Sequence, residues 1–216
     1  MPFETIISQS TMVPVYFYLY SSLACAAVAL ISFLISYFSF KIYKKSSIKL
    51  NLILSLGFLA LGIAFASLAL ASFYTYYYKP YSEDYANLTK MNYFAYNSYY
   101  ILSSISYILF VVMYLPGKMK NKFFAFYLPL WYVDNLNFHV LSILLVGYVL
   151  LVNLINCLKK RSLNSFLVTL AFLTIEVFHV LFLLVPFDVS MYLAAHTLLA
   201  LGFSSLLIML IRVSVK

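Results

Sequence analysis

The sequence predicts an all-α, polytopic integral membrane helix bundle: seven transmembrane helices, N-terminus out and C-terminus in. Three observations carry this. Of the 216 residues, 65% are hydrophobic and only 9% charged, against ~25% charged in a soluble domain. Several apolar runs exceed the ~18 residues that mark a spanning helix. The Lys and Arg residues sit in short clusters between those runs, the placement that orients helices in a bilayer.

In chain order, spans at about 13–40, 50–74, 92–115, 122–138, 139–158, 163–185 and 190–211 make a single transmembrane domain over residues 1–216. The first is preceded by Glu4 and by no Lys or Arg, so it lacks the basic start of a secretory leader and reads as a retained span. It ends at Lys41, Lys44, Lys45 and Lys49. The second carries Gly57 and Gly62 among Ala and Ser, which suits close helix crossing. A Tyr-rich polar stretch, Thr75 to Met91, reads as the longest outer loop and holds the sequon Asn87-Leu88-Thr89. The third span stops at Pro116-Gly117, before Lys118, Lys120 and Lys122.

The fourth is the weakest. Phe123 to Val133 contains Pro129 and falls short of the ~20 residues a span needs. Extension through Asp134 and Asn135 to Phe138 makes it long enough; a re-entrant segment with six full spans is the alternative. Lys159, Lys160 and Arg161 close the fifth span, and Arg212 and Lys216 follow the seventh.

Charge favours seven. With that count, residues 41–49, 118–122, 159–161 and the tail place twelve of the 14 Lys and Arg on one side, with no acid. The other side receives Lys79 and Lys90 with Glu4, Glu83, Asp84, Asp134 and Asp188. Without the fourth crossing, Lys159 to Arg161 would face outward, against the usual bias. The net charge of +8 is therefore a topology signal, and no direct nucleic acid binding is expected. Tyr74, Tyr76, Tyr77, Tyr78, Tyr93, Tyr96, Tyr99 and Tyr100 read as an aromatic belt at the outer headgroups. Trp131 reads as an interface anchor, and Gly202 as a close helix crossing. Ser103, Ser104, Ser106, Ser204 and Ser205 read as hydroxyls bonded to backbone or to a neighbouring helix. Cys25 and Cys157 fall near opposite faces, too far apart to bridge.

Glu176, His179 and His196 are the only ionisable groups well inside the apolar runs, and His139 opens the fifth span at the outer interface. A charge buried in lipid is costly, so such groups mark a candidate site. Helix rise puts His179 and His196 about 10 Å below the outer boundary, with Glu176 on the face of His179. Four arrangements fit. The first is a hydrogen-bonded cluster in which a neutral Glu176 meets a Tyr, Ser or His. The second is a metal site of His179, His196, Glu176 and His139, residue types that suit zinc, copper or iron. The third is a haem b held by two histidines, although helices joined by a tight turn pack too closely for a porphyrin. The fourth is a proton path continuing inward through Asn153, Asn156, Asn164 and Ser165.

No Gly-rich phosphate loop, His-Glu-x-x-His, Gly-x-Ser-x-Gly or Cys-x-x-Cys motif occurs. Lys216 is the only lysine after Lys160, which excludes a retinal Schiff base within the last span. That span holds one histidine, not the pair four apart of seven-span hydrolases of the ceramidase type. The short loops leave no room for a catalytic domain, so other membrane subunits are the expected partners beside the lipid bilayer. The chain thus reads as a cell-membrane subunit with an outward-facing Glu/His site for a metal or haem, in redox or sensing. The alternative is a non-catalytic channel, translocation or scaffold subunit.

Overall fold

The computed structural model describes residues 15–78, 85–115, 135–188 and 190–215. They form α1 (Val15–Ser46), α2 (Lys49–Tyr78), α3 (Tyr85–Tyr114), α4 (Asn135–Lys160), α5 (Leu163–Leu184) and α6 (Ser190–Val215). Among the described residues these six helices are long and apolar enough to cross a membrane. The span expected at 122–138 lies outside the described residues as far as 134, and residues 135–138 are the first turn of α4 rather than the end of a separate helix.

Helices run past the apolar boundaries read from sequence. At 30 residues each, α2 and α3 are about 45 Å long, the thickness of a bilayer including its headgroups. The polar Tyr-rich stretch therefore stays helical at both ends. Asn87 of the sequon lies in the first turn of α3, not in a loop.

Apolar side chains cover the outside of the bundle as well as its core, and small polar residues are buried between helices. Leu23, Leu30, Leu70, Leu144, Leu151 and Leu201 are exposed, whereas Ser21, Ser22, Ser32, Ser36, Ser39 and Ser55 are buried. Lipid rewards no segregation of leucine, so small residues take the contacts and let backbones approach. Between α1 and α2, Ser55 donates to the Ser36 carbonyl at 2.9 Å and Ser22 to the Ala69 carbonyl at 3.0 Å. Gly62 of α2 admits the ring of Phe33, Gly57 admits that of Phe110, and Gly202 of α6 sits against Thr174 of α5. Ser205 adds a bond to the Leu167 carbonyl at 3.1 Å. A core of phenylalanines, including Phe58, Phe65, Phe110, Phe172, Phe178 and Phe203, fills the middle.

Each helix packs on its sequence neighbour, and α1 closes the ring on α6. The contacts fix directions. Tyr100 of α3 packs on Phe138 of α4 at 4.8 Å, and further along both helices Tyr114 donates to Asn153 at 2.9 Å. Neighbours α3 and α4 therefore run parallel. So do α1 and α6, joined by Phe17 on Tyr192 and then Tyr20 on Thr197. The other neighbours are antiparallel. As a result Lys41, Lys44, Lys45, Lys49, Lys159, Lys160, Arg161 and Arg212 collect at one end of the bundle. Among the described Lys and Arg, only Lys90 lies toward the other. At that other end Asp188 accepts from the Ser190 N–H at 2.8 Å, starting α6, and this bond holds its carboxyl below the usual range.

The aromatic belt is only partly as expected. Tyr77, Tyr78 and Tyr93 are exposed, but Tyr99 is buried in the core against Phe65 at 5.4 Å. Cys25 and Cys157 are both free.

A Cβ at Gly202 meets Thr174 Cβ at 2.6 Å, whereas one at Gly147 meets Glu176 Oε1 at an ordinary 3.5 Å. Gly202→Val is therefore expected to lower unfolding stability in detergent by about 1–3 kcal/mol, while Gly147→Ala stays within ~0.5 kcal/mol.

Candidate functional site

His179 projects from α5 into the seam where α3, α4 and α5 meet, and it is fully buried. Its Nδ1 faces His139 Nδ1 at 2.9 Å, and its Nε2 faces the Tyr107 hydroxyl at 2.9 Å. One imidazole thus ties α5 to α4 and α3 together. His139, expected at the outer interface, is only 2% exposed and stacks on Phe182 at 4.7 Å.

Burial in a dry bundle favours neutral rings, so one of the two facing Nδ1 atoms carries the proton. If His179 carries it, its Nε2 accepts from the Tyr107 hydroxyl and the proton of His139 sits on Nε2. If His139 carries it, His179 donates from Nε2 to the Tyr107 oxygen. His139 Nε2 has no partner among the described residues, so the first polarity leaves that donor unmet. The second leaves the Tyr107 hydrogen and the His139 Nε2 lone pair without partners among the described residues. Neither direction satisfies every polar atom of the chain of bonds.

His196 belongs to a separate environment. Its Nδ1 bonds the Tyr192 carbonyl one turn back at 2.9 Å. Phe178 lies between it and His179, with ring centroids 5.4 Å and 5.1 Å away. Glu176 lies on the α4 side of α5, half-buried beside Gly147, and its Oε2 has no partner.

The four residues read as metal ligands do not all come together. Among the described residues no three His, Cys, Asp or Glu side chains gather as a metal site. The set His179, His196, Glu176 and His139 is split: His179 bonds His139, Phe178 stands between His179 and His196, and Glu176 lies apart beside Gly147. Facing nitrogens at 2.9 Å leave no room for a porphyrin between His139 and His179 in this arrangement. The hydroxyl partner expected for Glu176 is absent among the described residues. Ser204 and Ser205 bond backbone carbonyls as expected, but Ser103 and Ser106 of α3 are buried with unpartnered hydroxyls.

Sequence reasoning missed Tyr107. It lies in an apolar run and carries no charge, so a search for ionisable groups passes over it. The available signal was that a buried imidazole has two polar nitrogens to satisfy.

At the basic end, Asn153, Asn156, Asn164 and Ser165 line one cavity of about 270 Å³ with Tyr114 and Lys160. Between this cavity and His179 lies an apolar layer with Phe110 against Phe172 at 5.5 Å.

Fold and site together define a multi-pass, membrane-type helical bundle with a buried polar core. Compared with family models, curated proteins and solved structures, the chain matches none.

Tyr107→Phe removes the α3 end of the chain and leaves a buried imidazole nitrogen unpaired. It is expected to lower stability by about 1–2 kcal/mol, with Tyr93→Phe, an exposed site, as the unchanged control in the same thermal melt.

Proposed function

We propose that the chain is a non-catalytic subunit of a membrane complex, of the channel, translocation or scaffold kind. It crosses the cell membrane seven times, with the N-terminus out and the C-terminus in. The observation that supports the non-catalytic reading is that His179 uses both ring nitrogens on interhelical bonds, so this buried imidazole acts as a clamp.

Seven crossings are supported by the parallel run of α3 and α4. In a bilayer, the chain leaving α3 at one end has to return to the other end before α4 begins. The interval of about twenty residues matches the ~30 Å hydrocarbon core as a helix. Parallel α1 and α6 require the same odd parity. The basic end of the bundle then faces the cytoplasm. Short loops favour other membrane subunits as partners.

A second reading, a proton path, has its own observation. Tyr99, Ser103, Ser106, His139 and Glu176 all leave polar atoms buried and unpartnered above the cavity at the basic end. Buried polar atoms are normally satisfied by protein or water, so this seam suits a file of waters. Proton uptake by proteoliposomes under an imposed potential separates the readings. Flux abolished by Glu176→Gln supports the path; no flux above empty vesicles leaves the clamp.

Two measurements test the main proposal. Purified protein is expected to be colourless and metal-free, and one equivalent of bound metal or a haem absorption band would overturn the non-catalytic reading. In a Cys157→Ser background, Lys45→Cys and Lys160→Cys are expected to react with an impermeant maleimide only after cells are opened, and Ser190→Cys in intact cells. Labelling of Lys45→Cys and Lys160→Cys from opposite sides would remove the seventh span.

A further inference from the structure

The cavity at the basic end lies between α3, α4, α5 and α6, and its lining is chemically one-sided. Lys160 brings a cation, Asn156 and Asn164 bring amides, and Ser165 a hydroxyl. Among the described residues, no Asp or Glu lines it. Asn153 is already fixed, accepting from Tyr114 and donating to the Val149 carbonyl, so it forms a rigid floor. Ser165 accepts from Ser162 at 3.1 Å, which leaves its own hydrogen to donate. Amide and hydroxyl donors around one ammonium match an acceptor-rich anion.

Two features select the kind of anion. The volume of about 270 Å³ is far above the space one water needs and more than a bare phosphate fills. The remaining walls, Val168 of α5 and Met209 of α6, are apolar, so the cavity continues from donors into hydrocarbon-like surface. Basic pockets between transmembrane helices at headgroup level hold anionic lipids, and Lys160, exposed at the end of α4, can reach its charge to that level.

We infer that this cavity binds the phosphate of an anionic membrane phospholipid, with the acyl chain leaving past Val168 and Met209. The amides and Lys160 hold the headgroup between α4, α5 and α6, and the lipid acts as a wedge that sets their spacing.

The test is thermal unfolding of the delipidated full chain in mild detergent with phosphatidylglycerol, phosphatidylcholine or inorganic phosphate added at equal concentration. Phosphatidylglycerol is expected to raise the midpoint by several degrees and the other two to leave it unchanged. Asn156→Leu, which fills the cavity without altering charge, and Lys160→Gln are expected to abolish the shift. Lys45→Gln, an equal charge loss at the same end outside the cavity, is expected to retain it. Equal shifts with both lipids, or a shift that survives Asn156→Leu, would overturn the site. A shift from inorganic phosphate as large as that from phosphatidylglycerol would overturn the lipid and assign the cavity to a free anion.

Discussion

In hydrocarbon a polar atom has no water to fall back on, so each must find a partner within the protein or be left at a cost of several kcal/mol. That constraint organises the bundle. His179 meets it by reaching across two helix boundaries at once, to His139 and to Tyr107. The serines of α1 and α2 meet it in pairs and against backbone carbonyls. It is not met among the described residues at Ser39 of α1, at Tyr99, Ser103 and Ser106 of α3, at Glu176, and at the Nε2 atoms of His139 and His196.

Because leucine gains nothing by hiding from lipid, shape decides the contacts. Glycine faces an aromatic ring at two crossings and a threonine at a third. The ring of helices is thus held by close approach, with the phenylalanine core filling what the small residues leave open. The same packing keeps His196 and His179 apart, since the wedge between them is Phe178. Two imidazoles at matched depth need not share a site.

Much of the architecture was legible in the sequence, because run length and charge clusters act locally. Gly57, Gly62 and Gly202 were readable as crossings for the same reason. Helix ends were not, since hydropathy falls at Tyr74 while backbone hydrogen bonding continues to Tyr78. The site was legible by residue type but not by grouping. Depth matches His179 with His196 and sets His139 nearer the interface, yet rotation about each helix axis decides which meet. Tyr107 was invisible to a search for charge although it completes the chain. The inner residues Asn153, Asn156, Asn164 and Ser165 do come together, as adjacent turns at the α4–α5 junction require.

The parallel pairs have an electrical consequence. Among the described helices, α1, α3, α4 and α6 point their C-terminal ends toward the basic end, and α2 and α5 oppose them. Peptide dipoles aligned in this way leave a surplus of partial negative charge there. Lys44 and Lys45 of α1, Lys159 and Lys160 of α4, and Arg212 of α6 each lie in the last turn of such a helix. The cations gathered at this end therefore also offset the field of four described helices aligned the same way.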